Sequence, residues 1–124
     1  MKSKTILIAD DSAVTRSMLV SVIESIGDYR IVEVSSGFEA LRLLPREHVD
    51  LILTDINMPD INGLELISYL RNNQHYLEVP VIIISTEGSQ LDIDKGKQLG
   101  ANEYLIKPFD PVRLQELVVS YLGR

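Results

Sequence analysis

Thr5-Ile6-Leu7-Ile8-Ala9-Asp10-Asp11-Ser12 is the stretch from which the fold of this chain can be read. Its first five residues form an apolar run with no polar alternation, which suits a strand buried on both faces of a parallel sheet. Two carboxylates stand directly at the end of the run. Ser12 then offers an N-cap to a stretch carrying Val14, Met18, Val22 and Ile26 on one helical face and ended by Gly27.

Two runs of the same kind follow, Leu51-Ile-Leu-Thr54 and Val79-Pro-Val-Ile-Ile-Ile84, and two weaker ones, Arg30 to Val34 and Glu103 to Ile106, complete a set of five. The spacing leaves a helix between each pair of strands, so the chain reads as five βα units. Ser36 with Glu39 three residues on predicts a capping box at the second helix, which Pro45 closes. Gly63 opens a third helix with Leu64, Ile67 and Leu70, and Asp110-Pro111 is an N-cap with proline at the first helical position of a last helix reaching about Leu122. Gly96 falls inside the fourth helix at a cost of about 1 kcal/mol relative to alanine, which predicts a short or mobile element between Gln90 and Leu99. Strict alternation with right-handed crossovers makes a doubly wound α/β sheet the simplest architecture, with its ligand site at the carboxyl ends of the strands.

The bulk properties agree with one such domain over 1–124. The chain has 124 residues, 45% apolar and 24% charged, as an ordinary globular core requires. Its formal charge of −6 and lack of any Lys/Arg cluster argue against nucleic acid as a partner. With no cysteine, disulfide scaffolds and thiol chemistry are excluded. The apolar run after Met1-Lys2-Ser3-Lys4 is too short for a signal-peptide core or a membrane span, so a soluble cytoplasmic monomer is expected.

The first polar residues after the strands are Asp10 and Asp11 after the first, Asp55 after the third, Ser85 and Thr86 after the fourth, and Lys107 after the fifth. All fall on one edge of the sheet. Three carboxylates brought together repel one another unless a cation neutralises them. The available ligands are all oxygens, which selects a hard ion, and few protein ligands plus waters suit Mg²⁺ better than Ca²⁺. A metal-bound carboxylate beside a lysine ammonium and a hydroxyl can stabilise the charge that develops on phosphoryl oxygens during transfer to an aspartate, and Asp55 is the plausible nucleophile.

Four motifs then carry a resemblance over essentially the whole chain: Ile-Ala-Asp10-Asp11-Ser, Leu-Thr-Asp55-Ile-Asn-Met-Pro-Asp-Ile-Asn-Gly63, Val-Pro-Val-Ile-Ile-Ile-Ser85 and Gly100-Ala-Asn-Glu-Tyr104-Leu-Ile-Lys107-Pro-Phe109. The sequence resembles the receiver domains of two-component response regulators, of the single-domain chemotaxis (CheY-like) type. Each motif alone is weak, but four in order at the right strand ends are specific.

The resemblance implies a flavodoxin-like sheet in the order 2-1-3-4-5 with five helices. It implies that Asp55 takes a phosphoryl group from a histidine kinase. Mg²⁺ would be held by the carboxylates of Asp11 and Asp55 and the backbone carbonyl of Asn57, with Asp10 acting through a metal-bound water. Lys107 would pair with the acceptor and then with the phosphoryl oxygens, while Ser85 moves in to bind the new group and Tyr104 swings from exposed to buried, reshaping the face of the fourth helix, fifth strand and fifth helix. A cis Lys107-Pro108 bond is also implied. Asn57 and Glu87, each two residues beyond an expected site residue, match the pattern that tunes dephosphorylation towards a short-lived mark. The implied partners are the kinase, a downstream protein such as a flagellar motor switch or another motility protein, and a phosphatase.

Plainer readings stand beside these. Asp10 and Asp11 taken alone serve equally as helix-start carboxylates favoured by the macrodipole. Ser85 and Thr86 can be turn residues, and register alone leaves Thr86 open as the switching hydroxyl. Tyr104 can be a strand aromatic packing on a neighbour. Met58-Pro59 and Gly63 read as loop-shaping, Phe109 as core, and His48 and His75 as surface residues at the opposite edge. An aspartyl-phosphate phosphohydrolase would need a second acid where Asn57 stands, and a flavin or nucleotide binder would need a Gly-, Ser- or Thr-rich loop where Asp10-Asp11 would repel phosphate. An intermediate phosphorelay receiver is the rival within the family, and a module that has lost phosphorylation would lack one of these residues.

Overall fold

Alternation of side chains along the strands divides the core in two. A computed structural model describes residues 3–123. Strands β1 (Thr5–Ala9), β2 (Arg30–Val34), β3 (Leu51–Thr54), β4 (Val81–Ser85) and β5 (Glu103–Ile106) form one parallel sheet in the order β2-β1-β3-β4-β5. Leu7, Ala9, Ile52 and Ile83 point to one side and pack against Ala40, Leu66, Ile67 and Leu70. Ile6, Ile8, Leu51, Leu53, Ile82 and Ile84 point to the other and pack against Leu19, Ile23, Leu114, Leu117 and Val118. Helices α1 (Ala13–Glu24) and α5 (Pro111–Leu122) therefore cover one face, and α2 (Gly37–Leu43), α3 (Gly63–Arg71) and α4 (Gln90–Leu99) the other. Every residue of β1, β3 and β4 is buried, as continuous apolar runs in a doubly covered parallel sheet demand.

Four local expectations change. The fully buried residues of α1 are Leu19 and Ile23; of the four residues read as one face, Val22 and Ile26 pack partly buried against this layer, whereas Val14 is 72% and Met18 52% exposed. At α2, Ser36 accepts from the Glu39 N–H, but the Glu39 carboxylate reaches back to Ser35 and not to the cap residue; the complete capping box belongs to α3, between Asn62 and Glu65. Helix α4 runs ten residues and is not short. Gly96 is its one buried residue, and a Cβ there would lie 2.7 Å from the Ile83 side chain and 3.4 Å from the Tyr104 ring, so the glycine lets the helix sit close on the sheet. Phe109 is half-buried at the margin of the α1/α5 layer. Among the described residues, no helix is long and apolar enough to cross a membrane.

Candidate functional site

Strand order reverses between β1 and β3, and Asp10 and Asp55 stand one residue past these neighbouring strands. Backbone pairing continues through them: the Asp10 N–H donates to the Val34 carbonyl at 3.1 Å, and the Asp55 N–H to the Ala9 carbonyl at 2.9 Å. Both carboxylates are nearly buried, with relative exposures of 1% and 7%. Asp10 Oδ1 accepts from the Ser12 N–H at 2.8 Å and Asp55 Oδ1 from the Ile56 N–H at 2.7 Å. Their other oxygens converge on one cation, Lys107 Nζ, at 2.9 Å from Asp10 Oδ2 and 3.0 Å from Asp55 Oδ2. Lys107 enters from the end of β5 through its N–H bond to the Ser85 carbonyl at 2.8 Å, and its bond to Pro108 is cis.

Asp11 completes the group. It is exposed, and it offers a carboxylate oxygen within 4.8 Å of oxygens on Asp10 and Asp55. Three carboxylates against one ammonium leave a formal charge of about −2, which one divalent cation would balance. The donors fit Mg²⁺: all are oxygens, and among the described residues neither the Asp11 carboxylate nor the Asn57 carbonyl accepts a hydrogen bond. Burial is the largest influence on Lys107 and opposes its charge. The hydrogen bonds and charges of Asp10 and Asp55 together outweigh it, so its pKa lies above the ordinary lysine value.

Two loops frame this centre. After β3, Gly63 starts α3 with its Cα against the backbone of Asp55: its N–H donates to the Ile56 carbonyl at 2.9 Å, and a Cβ would lie 2.0 Å from the Asp55 carbonyl oxygen. Asp60 in the same loop has φ of 66°, a left-handed conformation unusual outside glycine. At the end of β4, Ser85 is fully buried and its Oγ accepts from the Glu87 N–H at 3.1 Å, while the following Thr86 is exposed. The structure thus separates the two hydroxyls that sequence register left open: one lies inside the sheet end, the other at the surface.

Contacts invisible in the sequence join these loops. Asn57 Nδ2 donates to Glu87 Oε1 at 3.1 Å, so the two expected tuning positions touch each other. Tyr104 is half-buried against the α2–α4 layer, and its hydroxyl donates to the Glu87 carbonyl. Burial is the main cause raising the Tyr104 phenol above the usual tyrosine value. The Asp92, Glu87 and Asp55 charges add to it, against a smaller pull downward from the Ser85 hydroxyl. The ring therefore already lies partly inward with an unmodified Asp55. Arg16 was absent from the sequence reading; its Nη1 donates to the Asp10 carbonyl at 2.6 Å. The available signal was a cation in the first turn after the acid pair. His48 and His75 lie at the opposite sheet edge, both exposed, with His48 Nε2 3.0 Å from Asp50.

Comparison with known proteins agrees with this geometry. Residues 6–119 match the response regulator receiver domain family. A "chemotaxis protein CheY homolog" from Campylobacter jejuni is 35% identical over 119 residues, 95% of this chain and 92% of that protein. The "polar-differentiation response regulator DivK" of Brucella ovis is 33% identical over 121 residues, 98% of each. Among solved structures, the receiver domain of the sensor histidine kinase PA1611 from Pseudomonas aeruginosa, determined "with magnesium ion coordinated in the active site cleft", has a TM-score of 0.87 at 29% identity, covering 99% of this chain and 100% of that one. The chain belongs to the response regulator receiver domain family.

Proposed function

We propose that this receiver domain takes a phosphoryl group onto Asp55 from the phosphohistidine of a kinase, and that the modified form signals through a protein contact in the cytoplasm. The observation that carries the reading is the single ammonium of Lys107 bridging Asp10 and Asp55 at 2.9 and 3.0 Å, with Asp11 beside them. An Asp55 carboxylate oxygen forms the new O–P bond as the N–P bond of the donor breaks, and the donor's imidazole nitrogen keeps the electron pair. Lys107 gives its ammonium to the transferred oxygens in place of the carboxylate it held. Ser85 supplies a hydroxyl already at the sheet end, and Thr86 stands by at the surface. Asp10, Asp11, Asp55 and the Asn57 carbonyl would hold Mg²⁺, which supplies positive charge where the phosphoryl oxygens become more negative.

Release of the mark is set by Asn57 and Glu87, two residues beyond Asp55 and Ser85, whose side chains are hydrogen-bonded to each other at 3.1 Å. A partner phosphatase would act at the same site. The switch runs from Ser85 through Glu87 to Tyr104, because these three residues are already hydrogen-bonded in series. Output then passes to the face built by α4, β5 and α5, where Leu91, Ile106 and Val112 are exposed apolar residues. Chemotaxis or motility is the reading that the CheY-type pair Asn57/Glu87 supports, with a flagellar motor switch as the first target to try.

The test uses beryllofluoride and Mg²⁺ with amide shifts as the readout. Wild type should show changes at Asp55, Glu87 and Tyr104, and Asp55→Asn should show none. A wild type that stays silent, or an Asp55→Asn that responds equally, sinks the assignment. Capture of partners with and without beryllofluoride separates motility targets from a histidine phosphotransfer protein, the partner expected of a relay step.

A further inference from the structure

The three carboxylates of the site are held in unequal ways. Asp10 is fixed by the Ser12 N–H and Lys107, and Asp55 by the Ile56 N–H and Lys107. Asp11 is exposed and accepts no hydrogen bond among the described residues, so only the backbone that carries its Cβ is held in place. The peptide unit that places this Cβ is the one joining Asp10 to Asp11. Its carbonyl oxygen, that of Asp10, accepts from Arg16 Nη1 at 2.6 Å.

The guanidinium is itself pinned from the far side. Its Nε donates to Glu33 Oε1 at 3.2 Å, and Glu33 lies on β2 in register with Ile8 of β1. Arg16 rises from the first turn of α1, where its N–H donates to the Ser12 carbonyl at 3.0 Å, and its side chain is 19% exposed. One planar fork thus spans from the edge strand to the acid turn with two separate nitrogens, where an ammonium would have to reach both acceptors from a single one.

We infer that Arg16 is the positioning residue for the acid pair, holding the Asp10–Asp11 peptide and through it the place from which the Asp11 side chain reaches a divalent cation. The inference rests on the metal-assisted reading above. Mg²⁺ demands near-ideal ligand geometry, and loss of a residue that orients a ligand costs about 10–100-fold in metal affinity.

The sign of the effect separates this role from simple charge. Removing a cation next to three carboxylates should, by Coulomb's law alone, tighten binding of a divalent ion. Positioning predicts the reverse. Mg²⁺ titrations followed by amide shifts at Asp10–Ser12 should show Arg16→Ala binding at least about 10-fold more weakly than wild type. Arg16→Lys keeps the charge yet should also bind several-fold more weakly, and it remains informative if the alanine variant does not fold. In both, phosphoryl acceptance from a small donor should fall at low Mg²⁺ and recover as Mg²⁺ is raised.

Equal or tighter Mg²⁺ binding by folded Arg16→Ala, or wild-type affinity in Arg16→Lys, would overturn the inference while leaving the proposed function intact. A wild type that binds no Mg²⁺ would overturn both.

Discussion

Replacing Gly63 by alanine tests how tightly the acceptor is built into the sheet. The added Cβ would meet the Asp55 carbonyl oxygen at 2.0 Å, its carbon at 2.9 Å and the Ile56 Cα at 3.0 Å, all backbone atoms with no rotamer to relieve them. Ordinary contact begins near 3.4 Å, so the start of α3 or the end of β3 has to yield by about 1.4 Å. Overpacking of this kind costs about 1–3 kcal/mol. Displacing the Gly63 N–H from the Ile56 carbonyl adds about 1 kcal/mol. A loss of about 2–4 kcal/mol is expected from urea unfolding followed by circular dichroism, a large part of the stability of a domain this size. If β3 yields, the acceptor moves by about an ångström, which lowers phosphoryl acceptance by about 100-fold. Stability within about 0.5 kcal/mol of wild type together with a wild-type acceptance rate would refute the reasoning, since neither surface would then have moved.

Three further outcomes follow from the same geometry. Lys107, Tyr104 and Tyr121 have raised pKa values in the folded protein, the first through Asp10 and Asp55 overcoming burial, the tyrosines chiefly through burial. Each binds its proton more tightly folded than unfolded, so their stabilisation is complete below the unfolded values of 10.0 and 10.5 and fades as pH climbs through the folded ones. Denaturation midpoints should contain no step from these groups between about pH 7 and 9 and decline above about 10; variants Tyr104→Phe and Tyr121→Phe that leave the alkaline decline unaltered would contradict this. Tyr104→Phe removes the bond to the Glu87 carbonyl, should cost about 1 kcal/mol, and should speed amide exchange in the loop before α4; unchanged exchange there would show that the hydroxyl does not hold the loop. Asp60→Gly relieves a left-handed φ of 66° and should stabilise by up to about 1 kcal/mol in thermal melts, and a lower midpoint would count against strain at this position.

Much of this architecture was legible because the sequence signals were redundant. Runs such as Thr5–Ala9 and Leu51–Thr54 can be buried on both faces only if helices cover both, and that requirement fixes strands, crossovers and site edge together. The charge-bearing residues followed, since each stands at a strand end. The face of α1 followed only in its second half, where Val22 and Ile26 pack on the core, because a spacing of four is satisfied equally by Val14 and Met18 or by Leu19 and Ile23, and only the angle of the helix on the sheet decides. Gly96 was weighed as a helix cost, whereas its cause is the Ile83 side chain arriving from another strand. The Arg16–Glu33 and Asn57–Glu87 contacts join residues 17 and 30 apart in sequence, and no local pattern encodes them.

The placement of the reactive groups at the last rung of the paired strands or one step beyond it has a consequence for how competence is acquired. Ala9 pairs with Thr54, and Ser85 with Ile106, so Asp10, Asp55, Ser85 and Lys107 meet because the ladder counts out their positions. A slip of one residue in any strand would carry its side chain about 3.3 Å along the sheet and turn it to the other face. Partly folded chains therefore possess no weakened version of the centre. On the proposed function, a kinase meeting a population of such molecules encounters finished acceptors or none, and the extent of phosphorylation counts correctly assembled sheets.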